Sequence, residues 1–386
     1  EKLVFSIEET NLEEKITEAV TFLNSINLNE FNFVRALYFA SIANPDKVTL
    51  IFDFMARLES LDIQLFKKYS QLPLNAFKRS KTPSIYLENC NEVSFVLLKL
   101  IEYDVIQDTD LTSLRICLPY IFSHINDENW VKFLQSSIIC KNYFNTNFDE
   151  LSKDDWKLHK KLAYEGNDPN PIVNVIMMDD FDTFQNISSL TNFNFRQEIK
   201  MTFYIKTSFL KNPTLIEIAA FYSAIKIFKF LLMNDVPVTS NLSEFAVAGG
   251  NFEIIHICED YNCDFKSTLP VAIRFHRNDI LNWLIESKGA LEFYPVPNVL
   301  WESCARYGNY TAMRKLLKFG LNPSALLNEL ICFRQPDVAE IILKLKEVDV
   351  NFPDDDTKGT PLHFACRRKM DQIVKTLLSF DNIDVN

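Results

Sequence analysis

Glycine is scarce in this chain, with 7 residues among 386 and the first of them at Gly166. Strands joined by tight hairpins need many positions able to take positive φ, so this scarcity argues against a β-rich or loop-rich architecture and for helix. Histidine is scarcer still: His124, His159, His256, His276 and His363 show no H-x-x-x-H or H-E-x-x-H spacing, and no zinc site is expected. The 8 cysteines (Cys90, Cys117, Cys140, Cys258, Cys263, Cys304, Cys332, Cys366) contain no C-x-x-C pair. Most lie in apolar helical stretches and read as small buried hydrophobes of a reducing compartment. Cys258 and Cys263 stand five apart without partner ligands nearby, so core packing is expected there rather than nucleophilic catalysis.

Positive charge is also in deficit. The formal net charge is −11, whereas a sequence-independent grip on nucleic acid needs dense Lys and Arg to neutralise phosphates; no nucleic-acid partner is expected. The imbalance is local: residues 1–200 carry 20 basic and 29 acidic side chains, residues 201–386 carry 20 and 22. The acidic half suits a basic partner or serves solubility. No apolar run reaches the roughly 18–20 residues of a membrane span, and Glu1-Lys2-Leu3-Val4-Phe5 does not read as a signal peptide. A cytoplasmic chain is expected, with a nuclear location left open. Neither G-x-x-x-x-G-K-[ST] nor G-x-G-x-x-G occurs, so no cofactor held by a phosphate-binding loop is expected.

What the chain does have is apolar content: 47% hydrophobic, 24% charged and 33 phenylalanines, the balance of a folded chain. Its length fits two or three domains or one solenoid. Repetition decides between them. Ile218 to Leu232 reads as an apolar helix, a small-residue break and a second apolar helix. That plan returns at Phe245–Cys258, Val271–Leu284, Ser303–Leu317 and, degenerately, Leu326–Leu343. The sixth copy carries Gly359-Thr360-Pro361-Leu362-His363-Phe364-Ala365-Cys366, then Ile373-Val374-Lys375-Thr376-Leu377-Leu378.

This motif resembles the ankyrin repeat, over about residues 210–386. The mean interval is near 29 residues from Ala219 to Ala365, slightly shorter than the usual ~33. Pro361 suits the first helical turn and Thr360 its cap. The resemblance implies a bond between the Thr360 hydroxyl and the His363 ring that ties repeats together. Gly359 abuts Thr360, where the family usually has a residue between, so an irregular turn is expected before this copy. Gly249-Gly250 and Gly308 fall where a left-handed residue would end the first helix of a pair. Gly320-Leu321-Asn322-Pro323 matches the ending of a second helix. The fold expected is therefore all-α: an ankyrin-type helical solenoid of stacked helix pairs, preceded by a helical N-terminal region.

In the first half, Phe33–Ala43 and Val48–Leu58, broken at Asn44-Pro45-Asp46, read as one αα-hairpin, and Val93–Tyr103 and Leu111–His124 as further helices. Residues from Glu165 to Gln185, together with Asn192-Phe193-Asn194-Phe195 and Leu215–Leu232, resemble an uncharacterised domain that precedes ankyrin repeats in large families of parasitic protists. The organisation expected is a helical region over 1–155, this ankyrin-associated domain over 156–290, and ankyrin repeats over 291–386 that continue past Asn386.

Asp154-Asp155, Asp179-Asp180 and Asp354-Asp355-Asp356 offer paired carboxylates, but neighbours on a helix diverge, and capping or turn chemistry is the expected role. Arg367-Arg368-Lys369 is the sharpest basic cluster, suited to an acidic partner or to solvated helix-end charge. Ankyrin surfaces bind through turn tips and first helices, and that resemblance makes Arg274, His276, Trp301, Glu302, Tyr307, Asn309 and Arg367 the candidate protein contacts. Trp301 and Tyr307 lead because aromatic residues carry disproportionate interface energy, with packing between repeats as the alternative for both. Gly359, Thr360, Pro361, Leu362, His363 and Ala365 are the structural motif. The function expected is non-enzymatic: a monomeric scaffold or adaptor for an unidentified protein partner. The alternatives are a substrate receptor of a ubiquitin-ligase-type complex and an enzyme with its site around Asp179, Asp180 and Gln185.

Overall fold

Helices carry the regular structure of the chain. The computed structural model describes residues 2–25, 30–61, 63, 65–78, 90–106, 128, 131–132, 135, 146–166, 168–190, 192–202, 204–207, 209–210, 212–294, 297–355 and 357–385. Among these residues no β-strand forms, and one isolated antiparallel bridge joins Glu198 to Thr214. The contacts divide the chain into two units, Glu1–Thr239 and Ser240–Asn386.

The first unit opens with α1 (Lys2–Phe5), α2 (Leu12–Ser25), α3 (Glu30–Ala43), α4 (Val48–Glu59), α5 (Phe66–Lys78) and α6 (Cys90–Glu102). The expected hairpin is α3 and α4. Proline disfavours a helical residue before it and has no N–H to continue the ladder, so α3 ends at Ala43 and a 3₁₀ turn at Pro45–Lys47 starts α4. Helix α3 is apolar almost all round because α4, α5 and α6 all pack on it. Phe52, fully buried, meets the rings of Phe66, Tyr69 and Tyr103 at 5.6, 5.4 and 5.3 Å. Buried Tyr69 satisfies its hydroxyl by donating to Ser41 Oγ at 2.7 Å. The helix expected over Leu111–His124 lies outside the described residues.

The unit continues with α7 (Phe148–Leu151), α8 (Lys153–Glu165), α9 (Pro171–Met177), α10 (Phe181–Ser188), α11 (Leu215–Phe221) and α12 (Ile225–Met233). Asp168, 2% exposed, accepts hydrogen bonds from the backbone N–H of Asn170 and Thr202 and from the Thr202 hydroxyl, at 2.9, 2.8 and 3.0 Å. Phe193 and Phe195 of the sequence motif join Phe184 and Phe230 in one aromatic cluster beneath α10 and α12. The motif's two rings are thus half-buried packing, with Asn192 and Asn194 exposed.

The second unit is five helix pairs in series: α13 (Leu242–Gly249) with α14 (Phe252–Asp260), α15 (Leu269–Arg274) with α16 (Asn278–Lys288), α17 (Asn298–Tyr307) with α18 (Tyr310–Lys318), α19 (Pro323–Cys332) with α20 (Pro336–Ile342), and α21 (Pro361–Arg368) with α22 (Asp371–Leu378). The first helices α13, α15, α17, α19 and α21 pack in one row, more extensively than the second helices do. The first sequence copy, α11 with α12, has the same plan within the first unit.

Each pair breaks at one left-handed residue: Ser223, Gly250, His276, Gly308, Arg334 and Lys369. Four residues before each break stands Ala219, Ala246, Ala272, Cys304, Leu330 or Ala365, every one fully buried. One residue after it, in three pairs of the second unit, the N-cap side chain reaches back to the preceding first helix: Arg277 Nε donates to the Ala248 carbonyl at 2.9 Å, Asn309 Nδ2 to Ile273 at 3.0 Å, and Gln335 Nε2 to Ala305. These ties fill orphan carbonyls at helix ends. Met370, at the same place in the last pair, has no N–H on its side chain to offer.

Before the last pair, Asp354 Oδ1 accepts from the Thr357 N–H and hydroxyl, and Lys358 is left-handed, which closes the turn into Gly359. Thr360 and His363 form the capping pair of α21, Oγ1 to Nδ1 at 2.8 Å, while Pro361, Leu362 and Ala365 are buried.

Candidate functional site

The row of first helices in the second unit presents its side chains in register. Counting from each left-handed break, the position two residues earlier holds Arg274, Arg306, Cys332 and Arg367 in successive pairs, and the position one residue earlier holds Phe275, Tyr307, Phe333 and Arg368. The two positions meet between pairs. Arg274 lies over the Tyr307 ring at 5.4 Å, Arg306 over the Phe333 ring at 5.4 Å, and the Arg368 guanidinium lies beside the Cys332 thiol. The Arg274 and Arg306 guanidinium groups therefore rest on the next repeat's ring, an arrangement worth roughly 0.5–2 kcal/mol. Arg367 occupies the same position in the last pair and is exposed.

Acidic groups are interleaved. Glu302 pairs with Arg306 four residues on, one turn of α17 away. Glu329 on α19 sits between repeats with its carboxyl pushed up to about 7, first by burial, then by the negative charges of Glu302 and Asp354, with Arg306 opposing. Burial likewise pushes the Cys332 thiol up to about 11, with Glu329 adding and Arg368 opposing. The face is a mixed-charge strip over the buried Tyr307 ring and the half-buried Phe333 ring.

The candidates named from sequence divide on this surface. Arg274, Glu302 and Arg367 belong to it, and half-buried His276 adjoins it with Nε2 donating to the Tyr307 carbonyl at 2.9 Å. The exposure expected at Trp301, Tyr307 and Asn309 is corrected. Trp301 is fully buried and donates Nε1–H to the Asn322 carbonyl at 3.0 Å. Tyr307 is 7% exposed beneath Arg274, and Asn309 is fully buried as both cap and inter-repeat tie. The physical reason is register: all three stand on the side of the helix pair that its neighbour must cover. Arg306 and Glu329 carry no signal of their own in the sequence, although aligning the copies on their breaks sets Arg306 beside Arg274 and Arg367; Arg368 belongs to the basic cluster already read there.

The acidic pairs resolve separately. Asp179 is left-handed and accepts from the N–H of Lys226 and Ile227 at 3.3 and 3.1 Å, capping α12, whereas Asp180 caps α10 through Thr183 N–H at 3.1 Å. Asp180's carboxyl is lowered by its hydrogen bonds to Thr183. The two serve different helices, and Gln185 lies within α10. Among the described residues no three His, Cys, Asp or Glu side chains gather as a metal group, and no helix is long and apolar enough to cross a membrane. Of the cysteines expected to be buried, Cys258 and Cys304 are, Cys263 and Cys332 are half-buried, and Cys366 is exposed at the end of the first-helix row; Cys117, Cys140 and the side chain of Cys90 lie outside the described residues.

Comparison with known families places two matches on this architecture. Residues 233–316 match a domain of unknown function (DUF3447), and residues 359–386 match the ankyrin repeat. The first spans α13 to α18 and the second α21 with α22. No curated protein matches the chain. The ankyrin repeat is a module of protein–protein interaction, and the helix pairs between and around the matches share its plan.

Proposed function

We propose that the chain is a non-enzymatic adaptor that binds a protein partner along the first-helix row of residues 240–386, the inner, concave side of an ankyrin-type stack. The observation that carries this reading is the register of Arg274, Arg306 and Arg367, repeated at the same position of three pairs, with the first two held from below by aromatic rings and the third exposed. Arginines fixed in this way lose little entropy on binding, which favours them as interface anchors. With Glu302 and Glu329 between them, the strip matches a partner segment of alternating charge.

In this reading Arg274, His276, Glu302, Arg306 and Arg367 make the contacts. Trp301, Tyr307 and Asn309 hold the frame. The division into 1–155, 156–290 and 291–386 then makes the first region supporting, while the binding row begins in the second region with Arg274 and His276 and continues through the third, and the chain works as a monomer in the cytoplasm or nucleus.

The test is affinity capture from lysate of the source cell with the wild-type chain and with an Arg274→Glu, Glu302→Lys, Arg367→Glu variant whose melting temperature matches wild type. Loss of a specific captured protein supports the proposal. An unchanged set of captured proteins sinks it and moves binding to residues 1–239.

A further inference from the structure

The end of α14 carries a feature that the binding surface does not use. Helix α14 closes in a Schellman motif: Asn262 is left-handed with φ 59°, its N–H bonds to the Glu259 carbonyl at 2.8 Å, and the N–H of Cys263 reaches back to the Cys258 carbonyl at 3.0 Å. This motif brings the side chains three residues inside the helix end and two beyond it into contact, where an apolar pair usually sits. Here both are cysteines. Their thiols are neighbours close enough to influence each other's ionisation, and they are not bridged.

We propose that Cys258 and Cys263 form a peroxide-oxidisable dithiol that closes into an intramolecular disulfide. The backbone bond between the two residues fixes their separation before any oxidation, so the bridge needs no refolding of the helix end. The roles follow from burial. Cys258 is buried and Cys263 half-exposed, so an oxidant meets Cys263 first. Burial pushes Cys258 up to about 12, while Cys263, raised by burial too, is drawn back by the neighbouring Cys258 thiol. Cys263 is the attacking thiolate and Cys258 the resolving thiol.

The steps balance with hydrogen peroxide as the oxidant. The Cys263 thiolate attacks one oxygen, the O–O bond breaks, and the departing hydroxide takes up the thiol's proton as water, leaving a sulfenic acid. The Cys258 sulfur then attacks the sulfenic sulfur, the S–O bond breaks, and hydroxide leaves with the Cys258 proton as a second water. Two thiols and one peroxide give one disulfide and two waters.

The experiment treats the folded, full chain with hydrogen peroxide, alkylates the remaining thiols with iodoacetamide under denaturing conditions, and maps the peptides by mass. The expected product is a peptide holding both Cys258 and Cys263, unalkylated, lighter by two hydrogen atoms than its reduced form and restored by dithiothreitol. Its formation should accelerate about tenfold per pH unit between neutrality and the thiol pKa. With Cys258→Ala, which keeps an apolar group in the core, Cys263 should stop at a sulfenic acid that dimedone traps. Both cysteines remaining alkylatable while exposed Cys366 oxidises would overturn the proposal, as would a bridge from either one to a different cysteine.

Discussion

Replacing Trp301 by phenylalanine keeps most of its buried ring area and removes the indole N–H that reaches the Asn322 carbonyl. Urea unfolding should show a loss of roughly 0.5–1.5 kcal/mol for Trp301→Phe, the cost of a lost hydrogen bond to the exposed Asn322, and about 3–5 kcal/mol for Trp301→Ala, the cost of a large cavity. A Trp301→Phe variant as stable as wild type would return this side chain to the candidate contacts. Glu329 makes a second prediction. Its carboxyl is held at about 7 in the folded chain against 4.5 as a reference, so between those pH values the folded state binds more protons than the unfolded one. Stability therefore falls as pH rises from about 4.5 to about 7 and stays reduced above that range. Glu329→Gln should remove this loss, matching wild type near pH 4 and exceeding it at pH 8 by up to roughly 3 kcal/mol in denaturant titrations. Equal stabilities at pH 8 would mean that the carboxylate is better solvated than the structure shows.

At the scale of the helix pair, the left-handed break is where the chain departs from what glycine scarcity suggests. Few glycines imply few positive φ values, yet Ser223, His276, Arg334 and Lys369 adopt them at the breaks. The stacking of a helix on each side forces the turn whatever residue stands there, at about 1–2 kcal/mol for a side chain with a Cβ. Lys369→Gly should relieve that strain and raise the midpoint of thermal unfolding by the equivalent of up to ~1 kcal/mol. Gly250→Ala should do the opposite. At φ 89° a new Cβ would lie 2.7 Å from Arg277 Nε, the donor that ties α16 to the Ala248 carbonyl, so strain and a lost tie combine. If Gly250→Ala melted with wild type, the tie would be dispensable.

Across the whole molecule, stability passes between neighbours in the second unit, because each pair buries its apolar side only against the next. Gln335→Ala removes the bond to the Ala305 carbonyl and should raise amide hydrogen exchange in α17 to α20, with α2 to α6 unchanged. Faster exchange spread evenly over both units would contradict this local coupling. The Arg274, Glu302, Arg367 variant also touches the frame, because Arg274 rests on the Tyr307 ring and Glu302 pairs with Arg306, which is why its melting temperature is matched to wild type before capture is compared.

The helix pairs are legible in the amino-acid sequence alone, because apolar periodicity, Pro361 at a first turn and Gly308 at a break are local signals that near neighbours in the chain create. The hairpin of α3 and α4 is legible from Asn44-Pro45 for the same reason. Which face of each helix meets its neighbour is not. Trp301 and Arg306 lie on the same helix, and only the angle at which α17 packs between α15 and α19 sends one inward to Asn322 and the other outward over Phe333. The Cys258–Cys263 contact is hidden for a related reason: a separation of five places residues apart along a helix, and only the left-handed turn at Asn262 folds the second back onto the first. Local pattern settles which segments are helices, whereas packing among segments distant in sequence settles what each helix shows to solvent.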